Sequence, residues 1–254
     1  MKILDEDLEF LAKCGNEDLR VLVDYLTKDK DGDTRWTEEL TGSETYQLYY
    51  PNQLQTMWLD IAHELQKFGG NTILNMLRGH GVPYRKILLD VCKKMKVNCN
   101  NKAKIEFIED SLLRKVAEDA IEKMSPEDLK ILVDSANIKV ANYSKETMVA
   151  ALQMAVRMGG FVPYQIAVIV ANAVCRILLG RGLSLAVNAG ITRYLAIFAG
   201  PIGWLLTVLW TAVDVAGPAY RVTIPCCIQI AYMRKMSSLS DEQKKEMLGL
   251  PYLG

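Results

Sequence analysis

Two long segments without a charged residue most constrain how this chain can fold. They are GGFVPYQIAVIVANAVC at residues 159–175 and YLAIFAGPIGWLLTVLWTAV at residues 194–213. The second has the roughly 20 residues that a helix needs to cross the apolar core of a bilayer. However, Gly200-Pro201-Ile202-Gly203 lies inside it, and this sequence predicts a break into two halves, because proline lacks the backbone donor that a continuous helix uses.

Three interpretations of residues 159–233 follow. The segment is the core of a soluble helical domain, a stable membrane hairpin, or a segment that is buried in solution and inserts on a trigger. Arg176, Arg181, Arg193, Arg221 and Asp214 argue against plain spanning, since each charge costs roughly 2.5–3.5 kcal/mol near the centre of a bilayer. Pairing of Asp214 with Arg221 or Arg193 would offset part of that cost. All three interpretations stay open at this point.

The rest of the chain predicts an all-α fold, a multi-helix bundle with a Gly-rich apolar C-terminal helical region. Apolar residues recur with the period of an amphipathic helix, and proline and glycine are few, 8 and 17. Ser125 and Ser144 resemble helix caps. The predicted helices are 5–13, 17–27, 54–68, 71–77, 84–95, 105–124, one after Ser125, one from Ser144 to Val156 and a short one from Ser240. The predicted parts are a helical module at 1–45, a polar helical core at 46–157, and the apolar Gly-rich region at 158–254.

Two further patterns concern helix faces. Gly182, Ala186 and Gly190 repeat every four residues, which predicts a ribbon of small residues where helices approach closely. The octets EDLRVLVD at 17–24 and EDLKILVD at 127–134 match at six of eight positions. They indicate either a duplicated helical unit or two amphipathic helices that converged on similar residues.

Composition excludes several classes of function. Basic and acidic residues both number 30, so no basic field indicates nucleic acid. The acidic N-terminus has no apolar signal core, and the six cysteines show no CxxC spacing. They predict free thiols in a reducing, cytoplasmic compartment.

In the acidic turn at 29–40, Thr34 stands where a calcium loop needs glycine. No P-loop, GxGxxG or GxSxG is present. We expect no cofactor, no metal site and no catalytic residue.

Two glycine clusters, FGGN and RGHG, punctuate the helical pattern between residues 68 and 81. Glycine is the usual residue where a helix ends, so turns explain most of this composition. Four polar residues gather at these corners: Arg78, His80, Tyr84 and Arg85. They predict a polar contact surface that holds an anion or a partner's carboxylate.

Three stretches carry a family resemblance. The chain resembles the YaaW family of bacterial proteins of unknown activity at FGGNTILNMLRGHGVPYRKILLDVCKKMKV and at GPIGWLLTVLWTAVDVAGPAYRVTIPCCIQIAYMRKM. The N-terminal stretch LEFLAKCGNEDLRVLVDYLTK is similar to a small helical module that often precedes this family's core. The family is distantly related to ubiquinol–cytochrome c chaperones. The resemblance therefore implies an α-helical, non-enzymatic binding protein that works near a membrane, and it supplies no catalytic residues.

We therefore expect a non-catalytic, chaperone-like or scaffolding protein that binds a protein client at the cytoplasmic face of the inner membrane. Residues 183–199 and 204–215 would supply its hydrophobic surface. The alternatives are a pore-forming effector that is soluble until triggered and an enzyme that uses His80 with neighbouring arginines. Contact with a membrane surface or bilayer is expected, and the chain is a candidate homo-oligomer. The predicted membrane or helix-contact residues are Gly182, Ala186, Gly190, Gly200, Pro201, Gly203, Trp204, Asp214 and Arg221.

Overall fold

The computed structural model describes residues 4–29, 31–35, 38–69, 81–158, 163–183, 189–211 and 219–240. Within these ranges the chain is helical apart from its connections and forms no strand, so the predicted all-α multi-helix bundle is confirmed. Two segments are 3-10 helices, Glu6–Lys13 and Leu54–Met57. The α-helices are α1 (Asn16–Thr27), α2 (Glu44–Tyr49), α3 (Trp58–Phe68), α4 (Tyr84–Lys94), α5 (Ile105–Lys123), α6 (Pro126–Ser135), α7 (Lys145–Met158), α8 (Pro163–Leu179), α9 (Ala189–Thr211) and α10 (Tyr220–Ser237).

Local capping signals set where several helices begin. The Ser125 hydroxyl accepts the Asp128 N–H at 3.1 Å, directly before α6. The Ser144 hydroxyl accepts the Thr147 N–H at 3.3 Å, directly before α7. Each bond satisfies a backbone donor that has no partner inside the helix, and the starts predicted at these two serines are confirmed. The predicted helix at 71–77 and the helix predicted after Ser240 lie outside the described residues.

The helix α10 occupies the centre of the bundle. Every residue from Val222 to Met233 is buried, and none of them is charged. A helix that is apolar all round must be surrounded by other elements, and α10 packs against α1, α3, α4, α5 and α8. The hydrophobic core is consequently continuous from Leu8 to Met236. The three-part division of the chain stays a prediction.

The helices α8 and α9 run in the same direction. Phe198 lines the same small cavity as Ile166 and Val170, whereas Gly203 lies against Ile177, whose Cδ1 would be 3.6 Å from an added Cβ. Residue numbers therefore rise together along the two helices. A parallel pair requires the connecting chain to return along the first helix, and the Leu183 N–H accordingly donates to Asn172 Oδ1 at 2.9 Å.

The predicted break at Gly200-Pro201-Ile202-Gly203 is wrong, because α9 continues through it without interruption. Pro201 cannot donate to the carbonyl of Ile197, and an interior proline costs about 3 kcal/mol. On the same helix, Phe198, Ile202 and Leu206 are buried, and burial of each such side chain contributes about 1.5–3 kcal/mol. Packing of this apolar face therefore outweighs the local preference of proline.

The predicted ribbon of small residues on one helix face is also wrong. The helix α8 ends at Leu179, and Gly180 adopts the left-handed region with φ of +66°, so Gly182 lies in a connection while Gly190 lies in α9. A Cβ on Gly182 would stand 2.8 Å from Asn172 Oδ1. Glycine at this position permits close approach of the returning chain to α8. Ala186 lies outside the described residues.

The two matching octets lie in different surroundings. In α1, Asp24 is buried and its carboxylate pairs with Arg181 and, at 2.8 Å, with Lys28. In α6, Asp134 is exposed and accepts the Tyr143 hydroxyl at 3.0 Å. The first helix packs against the central α10, whereas the second packs against α7. This difference favours convergence of two amphipathic helices over a duplicated unit with one structural role.

These matched aspartates allow a paired test of stability. We expect Asp24→Asn to lower the free energy of unfolding by about 1–3 kcal/mol, because it removes the buried carboxylate that pairs with both Lys28 and Arg181. Both cations are about two-fifths exposed and can partly rehydrate, which limits the loss. Asp134→Asn should change it by less than about 0.5 kcal/mol, since that side chain is solvated. Urea denaturation of both variants measures the difference, and equal losses would contradict the structural roles assigned to the two octets.

Candidate functional site

Two of the predicted polar contact residues, Tyr84 and Arg85, lie at the start of α4 beside the N-terminal 3-10 helix. The Asp5 carboxylate accepts the Tyr84 backbone N–H at 2.7 Å and the Gln66 side-chain amide at 3.1 Å. The Arg85 guanidinium donates to the carbonyl of Ala103 at 2.9 Å. Arg78 and His80 lie outside the described residues. The structure therefore brings together two of the four residues and adds acidic partners that the sequence did not indicate.

The assignment of Tyr84 to a contact surface is wrong, because its side chain is fully buried. Its hydroxyl donates to Glu109 Oε1 at 2.9 Å. Arg85 remains partly exposed, with 37% of its side chain accessible, and its Nε lies 3.6 Å from Asp7 Oδ2. Only Arg85 is thus available to a partner among the described members of the predicted surface.

Behind Tyr84, a buried ion pair joins α5 to the end of α10. Arg234 Nε donates to Glu109 Oε2 at 2.8 Å, and the same guanidinium donates to the carbonyl of Asp7 and lies 4.1 Å from the centre of the Phe10 ring. Burial raises the pKa of Glu109 to about 7, against the opposing effects of Arg234 and Tyr84. Protein groups donate to both carboxylate oxygens, so this cluster holds the N-terminal segment on the bundle.

A cleft of about 450 Å³ opens next to this cluster. Its described lining carries three carboxylates against one guanidinium, and the lining residues are Leu4, Asp5, Glu6, Asp7, Gln66, Gly81, Pro83 and Arg85. Because like charges repel, this electrostatic balance opposes the predicted binding of an anion at Arg85.

One uncharged exposed row of residues lies on α9. Ala196, Gly200, Trp204 and Val208 are exposed and follow one another every four residues, so they form one row along the helix. We call this row the α9 face. Trp204 is 49% exposed and Val208 is 44% exposed, and Lys123 Nζ lies 4.5 Å from the centre of the Trp204 ring. The face combines small residues with one large aromatic side chain.

Other predicted residues surround the α9 face. Pro201 and Gly203 are half-buried beside it, and Arg221 is exposed at the start of α10. Asp214 lies outside the described residues. In the described ranges, no helix has both the length and the apolar character that crossing a bilayer requires.

The buried thiols do not resemble nucleophiles. All six cysteines are free, and burial is the main cause that raises the pKa of Cys175 to about 11 and those of Cys226 and Cys227 above their usual range. Because the thiolate is the reactive form, these buried groups act as small apolar side chains. Among the residues that the structure describes, no group of three His, Cys, Asp or Glu side chains could hold a metal ion.

Comparisons with known proteins find relatives that match nearly the whole chain. A family model described as a domain of unknown function, DUF3944, matches residues 3–36. The chain is 44% identical over 244 residues to a UPF0174 protein of Helicobacter pylori strain J99, covering 96% of each chain. It is 33% identical over 242 residues to the UPF0174 protein YaaW of Escherichia coli K12, covering 93% of this chain and 97% of that one. No solved structure matches.

The raised pKa of Glu109 predicts the pH dependence of stability. In the unfolded chain this carboxyl ionises near its ordinary pKa of 4.5, whereas in the folded protein it keeps its proton up to about pH 7. The folded state therefore binds more protons in that interval, and the free energy of unfolding should fall by roughly 2–3 kcal/mol between pH 5 and pH 8.

Glu109→Gln should remove most of this fall, since glutamine does not titrate. Asp18, whose pKa is raised to about 6 mainly by burial, leaves a smaller slope of the same sign. Denaturation at pH 5 and pH 8 measures both effects, with the exposed Glu122→Gln on the same helix as control. A variant at residue 109 that kept the full slope would contradict the assignment.

Proposed function

Because the chain belongs to the UPF0174 family, as its resemblance to YaaW predicted, we propose a function that rests on an exposed surface and requires no catalytic group. The protein is a non-catalytic scaffolding protein that binds a protein client at the cytoplasmic face of the inner membrane. The observation that carries this proposal is the α9 face, an exposed row without charge on an otherwise well-packed helix.

The composition of the α9 face favours an apolar helix as the bound element. Ala196 and Gly200 have little or no side chain, so a second helix can approach the backbone of α9 closely. A Cβ on Gly200 would meet nothing within 4 Å, which leaves that approach open. Trp204 provides the kind of large aromatic anchor that dominates binding energy at interfaces. A client that buries an apolar helix here would cover both features at once.

Lys123 supports contact with a partner at this position rather than with lipid tails. Its ammonium group lies over the Trp204 ring and keeps a charge beside the most exposed aromatic side chain of the α9 face. Deep insertion of this face into hydrocarbon would require that charge to be desolvated or withdrawn. A surface-bound client leaves Lys123 in water at the rim.

The second candidate function is the membrane-inserting effector, which would use the same uncharged residues to enter a bilayer. The two candidates differ in their effect on vesicles. A scaffolding protein leaves anionic vesicles intact, whereas an effector releases an entrapped dye. Dye release at micromolar protein would therefore replace the scaffolding proposal with the effector.

Gly200→Leu provides a sharp test of the α9 face. A Cβ at this position meets no atom within 4 Å outside its chain neighbours, and replacing a glycine inside a helix is favourable by somewhat less than about 1 kcal/mol. A Cβ directly before Pro201 opposes this gain, because it disfavours the helical conformation, so the free energy of unfolding of this variant is measured beside its binding. The leucine side chain blocks close approach of a client helix. We expect photo-crosslinking from position 208 to one defined client to fall by about tenfold or more.

Phe107→Ala is the matched control, because Phe107 is 64% exposed on α5 and lies outside the α9 face. Crosslinking should survive in this control and fall in Trp204→Ala. Equal crosslinking in the wild type, Gly200→Leu and Trp204→Ala would show that α9 does not bind the client. Circular dichroism on each variant separates loss of binding from loss of folding.

A further inference from the structure

A second cavity, of about 300 Å³, lies between the end of α1, the end of α8 and the start of α10. It is distinct from the acidic cleft, which adjoins the other end of α10 near Arg234. Apolar and charged residues share its wall: Tyr25, Lys28, Asp29, Arg35, Leu178, Leu179, Arg221 and Pro225. We call this cavity the basic pocket.

Positive charge exceeds negative charge in the wall of the basic pocket. Three of its residues are cationic and one, Asp29, is acidic. The Asp29 carboxylate accepts the backbone N–H groups of Asp31 at 2.9 Å and Asp33 at 3.0 Å, so it closes its own turn. Lys28 pairs with Asp24 behind the wall. The two guanidinium groups of the pocket thus outweigh the single carboxylate in its wall.

The position of Arg35 brings its charge next to that of Arg221. The Arg35 N–H donates to the carbonyl of Thr27 at 2.8 Å, which closes the turn after α1 and carries Arg35 back to the end of that helix. Burial is the main cause that lowers the pKa of Arg35; Cys226 and Asp29 oppose this shift, and the like charge of Arg221 adds a smaller lowering. Guanidinium groups bind phosphate oxygens through charge-assisted hydrogen bonds, so two of them in the wall of one cavity favour a bound anion.

Two donors in this wall lack good partners. The Tyr25 side chain is 3% exposed, and its hydroxyl lies near the Cys175 thiol, which is only a weak hydrogen-bonding group. In the part of the chain that the structure describes, neither the Tyr25 hydroxyl nor the buried Arg35 Nε makes a hydrogen bond of good geometry. A buried polar group without a partner costs about 1–3 kcal/mol, and an incoming acceptor would recover that cost.

We propose that the basic pocket binds a phosphate group that carries an apolar substituent. Arg35 and Arg221 bind the phosphate oxygens, the Tyr25 hydroxyl donates a further hydrogen bond, and the apolar substituent packs against Leu178, Leu179 and Pro225. The phosphate comes either from a phospholipid headgroup or from a soluble phosphate ester. This site does not depend on the α9 face, so each proposal can fail alone.

Calorimetric titration of the full chain with octyl phosphate tests the pocket directly, with inorganic phosphate and octyl glucoside as partial ligands. Saturable binding of octyl phosphate, about tenfold tighter than either partial ligand, is expected, because charge and apolar contact act together. Absence of saturable binding would overturn the proposal.

The variants separate a binding role from a folding role. Arg35→Gln should weaken octyl phosphate binding about tenfold. Tyr25→Phe removes only the hydroxyl that lacks a good partner, so binding should weaken about threefold while the free energy of unfolding stays constant or rises. Arg114→Gln makes the same charge change on α5, outside the pocket wall, and should bind as the wild type does. If Arg35→Gln does not fold, Tyr25→Phe still tests the proposal. Wild-type affinity of Tyr25→Phe for octyl phosphate would contradict the Tyr25 hydroxyl as a donor to the phosphate.

Vesicle sedimentation identifies the source of the phosphate. If the protein sediments with phosphatidylglycerol vesicles and octyl phosphate displaces it, the ligand is a phospholipid headgroup. If octyl phosphate binds and the vesicles do not retain the protein, the ligand is a soluble phosphate ester. Vesicle binding that octyl phosphate and Arg35→Gln leave unchanged would show that the basic pocket does not bind the headgroup.

Discussion

Burial of α10 on every side constrains the arrangement of the other helices. Its residues from Val222 to Met233 carry no charge, so water can reach none of its faces without a loss of hydrophobic free energy. Five helices surround it, and they come from the first, middle and last parts of the chain. The N-terminal module thus belongs to the same core as the C-terminal region.

Charged groups at the two ends of α10 are satisfied in different ways. At its end, Arg234 meets the buried Glu109 and the carbonyl of Asp7, so the ion pair is closed by the protein itself. At its start, Arg221 and Arg35 line a cavity with a hydroxyl that lacks a good partner. A buried donor without an acceptor is costly. Among the described residues, the orphaned donors at the start of α10 are those of Tyr25 and Arg35, whereas the cluster at its end holds the N-terminal segment on the bundle.

The all-α class and most of the amphipathic helices could be predicted from the sequence, because helical periodicity and helix caps are local signals. The helix α10 was missed, since a helix buried on all sides shows no amphipathic period, and Pro225 lies within it. The break predicted at Pro201 was wrong because tertiary packing of α9 outweighed the local preference of proline. Tyr84 was placed at a surface because of its polar hydroxyl, whose buried acceptor, Glu109, lies 25 residues away in the sequence. Arg35 and Arg221 were not paired, since no spacing motif joins residues that are brought together only by the turn after α1 and the start of α10.

The exposure of Trp204 and Val208 is informative because the same helix buries its neighbours so completely. Phe198, Ile202 and Leu206 hold α9 on the bundle with almost no accessible surface, so the helix has no need of the outer row for its own stability. Because Trp204 and Val208 are about half exposed, each forgoes only part of the roughly 1.5–3 kcal/mol that full burial of a large apolar side chain contributes. Polar residues at these positions would keep the helix and improve its solubility. A row that instead has Ala196, Gly200, Trp204 and Val208 combines small residues, which permit close helix approach, with one large aromatic side chain. Its composition is better explained by a bound partner than by the fold.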